Sequence, residues 1–293
     1  MSNYTRGILL VLTAGACWSV GGIMLRTMEA ADGWQVLFWR AVGMTVTILL
    51  IMVLRHGRRV VTVFRAAGRA GIVGGLCLAA GFTSNIFAML NTTVANTLFM
   101  QSTQVFFAAV LAWILLRERV RRATWIAMVV AFVGVAVMMG DGLAQDALLG
   151  NLLGLGTGVV MAGFAIALRF GRDADMLPAA CLAGVFSALA GAAMAETLVV
   201  TTHDLLLALA MGVIQFGLGF TLFTFGSRHV PAAELMLVAL TEVLLAPIWV
   251  WIGVGERASV ATLIGGALLM AAIAGLALSG MRRRVPRKAA GVP

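Results

Sequence analysis

Charge is scarce in this chain. Asp, Glu, Lys and Arg make up 11% of its 293 residues, against roughly 25% in a soluble domain. Hydrophobic residues make up 61%. That balance excludes a water-soluble fold with a charged surface. Cysteine is scarce too. Cys17, Cys77 and Cys181 stand far apart inside apolar runs, without the spacing of metal ligands. They read as small buried hydrophobes, and they imply neither a disulfide framework nor a metal site. No GxxxxGK[ST] phosphate loop occurs, so ATP is not the direct energy source, and neither HExxH nor GxSxG is present. His56, His203 and His229 fall in separate loops, and Asp141 and Asp146 read as solvated charge in one loop. No cofactor is expected.

What the chain does have is apolar length. Runs of about 20 residues recur throughout, the length an α-helix needs to cross about 30 Å of hydrocarbon. Breaks of charge, Pro and polar residues divide the sequence into ten spans, near 6–26, 33–54, 70–90, 95–116, 123–140, 148–168, 176–196, 205–226, 233–253 and 259–280. The expected fold is all-α, a polytopic membrane protein of ten transmembrane helices. The first span lacks the small-residue cleavage pattern of a signal peptide and is expected to be retained.

The net charge of +9 could suggest nucleic acid, but its placement does not. With the N-terminus cytoplasmic, 18 of the 21 Lys and Arg fall on the cytoplasmic side; Arg26 and Arg257 fall on the other, and Arg40 lies inside a span. Positive charge gathers in cytoplasmic loops. The partition therefore predicts a multi-pass protein of the bacterial cytoplasmic (inner) membrane with both termini inside, and the basic segment 281–293 as a cytoplasmic tail. No nucleic-acid partner is expected; the bilayer is the partner.

The sequence also repeats. At an offset of 138, Gly74 meets Gly212, Gly81-Phe82-Thr83 meets Gly219-Phe220-Thr221, Trp113 meets Trp251, and Glu118-Arg119 meets Glu256-Arg257. At an offset of 143, Gly7, Gly15 and Arg26 meet Gly150, Gly158 and Arg169. Two halves of five spans follow, 1–141 and 147–280. Five is odd, so the second half enters the membrane from the opposite side. Inverted repeats of this kind build transporters, with the substrate near the midplane between them.

The segments "AAVLAWILLRERVRRATWIAMVVAFVGV" and "LAPIWVWIGVGERASVATLIGGALLMAAIAGL" resemble the drug/metabolite transporter superfamily. More narrowly, the chain resembles the EamA-type ten-helix exporters, and among them the YddG group of amino-acid exporters. There are departures: Arg117 stands where the second copy has Gly255, and Val243 rather than Pro follows Glu242. The resemblance implies export of amino acids, particularly aromatic and other hydrophobic ones, by a non-enzymatic secondary transporter.

A charge at helix centre costs about 2.5–3.5 kcal/mol on insertion scales, so such residues are seldom idle. Glu242, about nine residues into its span, is the first candidate. It could pair with a substrate ammonium or exchange a proton, or it could be a structural, hydrogen-bonded Glu. Its repeat mate is Gln104. Thr97, Gln101 and Gln104 share one helical face, and Asn85 and Gln215 lie on comparable faces of their own spans. Trp18, Met161 and Phe164 could wall an apolar pocket or simply fill the core. Arg40 reads either as a snorkelling or salt-bridged structural residue or as a contact for a substrate carboxylate or a gate. Glu118-Arg119 and Glu256-Arg257 suit a structural or hinge role, the carboxylate capping the helix that follows and the Arg anchoring headgroups.

Together these readings predict a monomeric exporter of small amphipathic metabolites working by alternating access, with protons as a possible coupling ion. Two alternatives stay open: a broad drug or cation exporter, and an intramembrane transferase, which would need clustered carboxylates or His that the spans lack.

Overall fold

The structure is a computed structural model and describes residues 3–117, 122–144, 147–170, 177–227 and 241–282. The described residues are helical almost throughout, with no strand among them. Among the described residues thirteen α-helices run in chain order: α1 Asn3–Ser19, α2 Gly21–Arg26, α3 Gly33–His56, α4 Val60–Asn91, α5 Val94–Ser102, α6 Gln104–Leu116, α7 Arg122–Ala144, α8 Leu148–Phe170, α9 Leu177–Met194, α10 Thr202–Ala210, α11 Gly219–Ser227, α12 Thr241–Val254 and α13 Val260–Arg282. A π-helical segment, Met211–Leu218, joins α10 to α11.

Six stretches are long and apolar enough to cross a membrane, and Thr124–Met138, Thr241–Val254 and Val260–Gly275 are shorter apolar helices. One of the six, Gly33–Asn91, has 59 residues, far more than one crossing needs. It doubles back. Gly57 and Gly68 take φ of 53° and 51°, a left-handed backbone that costs glycine little, so α3 and α4 are two passes. Counted this way, the described helices supply ten.

Local chemistry sets the helix starts. Asp32 accepts from the Trp34 and Gln35 nitrogens at 2.7 and 2.9 Å while the Gln35 side chain accepts from the Asp32 nitrogen at 2.9 Å, a capping box. Thr93, Thr201 and Ser259 cap the helices that follow them, accepting from the nitrogens of Asn96, Asp204 and Thr262.

The two halves of the bundle exchange equivalent contacts. Helix α3 packs on α9, the second pass of each half on the other, and α7 packs on α13, fifth on fifth. Most of the other large contacts between the halves come in pairs. Helix α4 packs on α8 as α1 packs on α11; α4 packs on α9 as α3 packs on the π segment; α5 and α6 pack on α8 as α12 packs on α1 and α2. The halves also run in opposite senses. Asn151, near the start of α8, hydrogen-bonds to Thr92 and Asn96, which lie at the same end of the bundle as Arg26, the far end of the first pass. So the first half starts at one end and the second half at the other.

Some sequence expectations need correcting. The first and fourth passes are each broken, at Val20 and at Thr103, where the bonding tightens to Thr103 N→Met100 O. Asp141 belongs to helix α7, His56 ends α3, and His203 lies in the first turn of α10, because the helices run past the last apolar residues. Asp146, His229, Glu118, Arg119, most of the basic tail and the first part of the ninth span lie outside the described residues.

Candidate functional site

The middle of the bundle is built on glycines that let one half's helices meet the other's. A methyl group placed on Gly15 of α1 would lie 3.2 Å from Thr241 Cβ and 3.5 Å from the Glu242 nitrogen. On Gly158 of α8, its repeat mate, a methyl would lie 3.3 Å from the Gln104 nitrogen. Glu242 and Gln104 thus occupy matching places, each beside a glycine of the opposite half. Glu242 is half-buried. Among the described residues its carboxylate has no hydrogen-bond or ion-pair partner.

The same correspondence places Trp18 and Met161. A methyl on Gly219 would overlap Trp18 Nε1, and one on Gly81 would overlap Met161 Cε. Phe164 lies against Gly74, whose added methyl would sit 3.5 Å from its ring. The glycines the sequence singled out are therefore close-approach sites. Met161 and Phe164 are partly buried and pack against the core.

Around Trp18 the second half contributes an aromatic wall. Phe220 and Phe223 hold its indole at centroid distances of 5.5 and 5.3 Å. Gln215, in the π segment, donates from Nε2 to the Trp18 carbonyl at 3.0 Å, and Gly21 leaves room for its amide. Trp18 Nε1 and Gln215 Oε1 are buried without a hydrogen-bond partner, an uncommon condition for buried polar atoms. On the first half, Asn85 Nδ2 donates to Gln101 Oε1 at 2.7 Å, so two of the polar residues expected in the site satisfy one another. Thr97 turns its hydroxyl onto the Thr93 carbonyl.

Arg40 does not snorkel, and among the described residues it forms no salt bridge. It is 3% exposed, and among the described residues no carboxylate lies within ion-pair distance. Its Nη2 donates to the Phe82 carbonyl at 3.2 Å. Its guanidinium carbon lies 5.4 Å from the Phe82 ring centre and 4.6 Å from that of Phe216. Two such cation–π contacts are worth about 0.5–2 kcal/mol each, and a charged hydrogen bond about 1.5–3 kcal/mol. These match the cost of placing the charge in the membrane, so the guanidinium stays in the bundle without an acid.

Composition gave no sign of a second cluster, which closes the Arg26 end. Arg26 Nε donates to Glu256 Oε2 at 2.6 Å, and its Nη2 donates to the Thr92 carbonyl at 2.6 Å. Glu256 Oε1 accepts from the Val94 nitrogen at 2.8 Å. The carboxylate therefore caps α5 in the other half; Ser259, not Glu256, caps the helix that follows. Arg257 is exposed. Nearby, buried Asn96 accepts from Thr262 Oγ1 at 2.6 Å and donates to Asn151 Oδ1 at 3.1 Å. Asp204, wholly buried, accepts from the nitrogens of Glu29, Ala30 and Ala31 at 2.9–3.0 Å. Trp249 Nε1 donates to Ser19 Oγ at 2.9 Å, joining α12 to α1.

A two-fold-related helical bundle, with glycine contacts and lone polar groups where its halves meet, is what a duplicated transporter unit would give. The model of the EamA-like transporter family matches residues 5–140 and again 148–278. The chain belongs to that family. Each match covers one half, so the chain is two copies of the family's unit and a polytopic membrane protein that moves small molecules. No curated protein matches it. A solved crystal structure of a protein is similar over 95% of this chain and 99% of its own, with a TM-score of 0.67 and 17% identity. At that identity the likeness shows the fold alone. Among the described residues no group of three or more His, Cys, Asp or Glu is placed to hold a metal.

Proposed function

We propose that the chain is a secondary exporter of small amphipathic metabolites, with aromatic and other hydrophobic amino acids as its substrate class, working by alternating access. The observation that carries this reading is Glu242. It is the acidic member of a pair of repeat-related sites, it lies against Gly15 of the opposite half, and among the described residues nothing neutralises it. A substrate ammonium is the partner such a carboxylate suits, and Trp18, Phe220 and Phe223 offer apolar faces nearby for a side chain. Glu242 also serves as a proton carrier in this reading, its charge alternating with the state of the bundle.

The distribution of Lys and Arg supports placement in the bacterial inner membrane with both termini cytoplasmic, the Arg26 end facing outward. One chain carries both halves and so acts alone. The resemblance to the YddG group supports the amino-acid class. Counterflow of labelled amino acids into sealed proteoliposomes tests the proposal. Saturable exchange of phenylalanine, leucine or methionine is expected; no exchange of any amino acid would sink the substrate class.

A broad exporter of organic cations is the second reading. The carboxylate of Glu242, unpartnered among the described residues, favours it, and exchange of cationic dyes in preference to amino acids would establish it.

A further inference from the structure

We infer that Arg40 is a carboxylate-binding site, the free N–H donors of its guanidinium holding the acid group of an apolar cargo beside Phe82 and Phe216. The inference rests on the transporter reading and adds to it the group that recognises the negative end of the substrate.

Four observations converge on Arg40. First, its burial is nearly complete, yet among the described residues no acid neutralises it. Second, a guanidinium offers five N–H donors in a rigid fork, and among the described residues only one of them, at Nη2, is engaged, by the Phe82 carbonyl. A carboxylate is the ligand that takes two parallel donors from such a fork. Third, the backbone holds the group in place. Gly212 lies so close to α3 that an added methyl would overlap the Arg40 carbonyl, which fixes the helix against the π segment. π-Helical turns are rare and frequent at functional sites, and this one carries both Phe216 and Gln215.

Fourth, a chain of aromatic rings in contact runs from the guanidinium to Trp18. Phe82 and Phe216 meet at 4.5 Å, Phe216 and Phe220 stack at 6.2 Å, and Phe220 meets Trp18 at 5.5 Å. At its far end lie the two buried unpartnered polar atoms, Trp18 Nε1 and Gln215 Oε1. A cation at one end and aromatic faces along the way suit a monocarboxylate with an apolar body. They do not suit a cation or a polyanion. The site also has no counterpart in the other half, since Ala183 occupies the position that corresponds to Arg40 at the 143-residue offset. One cargo carboxylate per chain follows.

The test compares ligands that differ only in the acid group. Binding of L-phenylalanine and L-leucine, and of their decarboxylated counterparts phenethylamine and isopentylamine, is measured on the full-length protein in lipid nanodiscs. Wild-type protein is expected to bind each amino acid at least tenfold more tightly than its amine. Arg40→Gln is expected to level the two, and Arg40→Lys, which keeps the charge but not the fork, to restore part of the preference. Equal or tighter binding of the amines by wild type overturns the inference, as does wild-type protein that binds neither amino acid, or an Arg40→Gln protein that keeps the preference. If the variants do not fold, the wild-type comparison alone decides. Counterflow with the same four solutes separates the two claims. Movement of amines without amino acids removes the carboxylate site and leaves a transporter, whereas a sealed bilayer that passes none of them removes the transporter reading as well.

Discussion

Trp18 and Met161, 143 residues apart, fill the same notch in opposite halves, the indole edge over Gly219 and the thioether methyl over Gly81. The two notches differ in how much their occupant can yield. A methionine has three flexible bonds, whereas the Trp18 indole is held between Phe220 and Phe223. Gly219→Ala should therefore destabilise by about 1–3 kcal/mol and change the tryptophan emission, while Gly81→Ala should cost under about 1 kcal/mol, since a flexible side chain can give way. Thermal unfolding in detergent orders the two. Equal losses would mean that the indole is not constrained.

The Arg26–Glu256 contact is partly exposed, 24% and 16% for the two side chains, so solvent weakens it. Each residue nevertheless bonds a second backbone group, Thr92 O and Val94 N. Arg26→Ala and Glu256→Ala are each expected to cost about 1–3 kcal/mol, with the double variant costing less than their sum. A thermodynamic cycle from thermal unfolding measures the coupling, and strict additivity would show that the two act apart.

Arg117 ends α6 at φ 54° and Gly255 ends α12 at φ 71°, at matching positions of the two halves. The helix end is therefore the same left-handed turn whether or not the residue is glycine. An L-residue pays about 1–2 kcal/mol there. Arg117→Gly should stabilise the protein by about 0.5–1 kcal/mol once the greater freedom of the unfolded glycine is counted. A lower unfolding temperature would show that the Arg117 side chain outweighs its strain.

Glu242→Gln keeps the shape and the hydrogen-bonding capacity but removes the charge. In proteoliposomes the variant is expected to lose any acceleration of transport by a pH gradient while still exchanging substrate at symmetric pH. A variant that responds to the gradient as wild type does would rule out Glu242 as the proton carrier.

Much of the architecture was legible in the sequence because membranes demand apolar length and duplication leaves matched landmarks. The glycines at 15, 81, 158 and 219 are legible for the same reason: close helix approach leaves little room for a side chain. Other features left no local trace. The break at Thr103 has neither Pro nor Gly beside it, although Gly21-Gly22 follows the one at Val20, and nothing in Met211–Leu218 marks it as π-helical. Arg26 and Glu256 are 230 residues apart, and the Asp204 carboxylate serves backbone nitrogens 173 to 175 residues away. Phe82 and Phe216 read as two more apolar residues until the guanidinium of Arg40 is seen on their faces. The sequence showed Arg40 and Glu242 as expensive, and contacts between distant segments decided their surroundings.

The lock at the Arg26 end has a consequence for energetics. By the offsets that relate the halves, Arg26 corresponds to Arg169 and Glu256 to Glu118, so the chain encodes the same pair of charges twice, once for each end of the bundle. Glu118 lies outside the described residues. On the described side, parting Glu256 from the first half breaks two hydrogen bonds, those from Arg26 Nε and from the Val94 nitrogen.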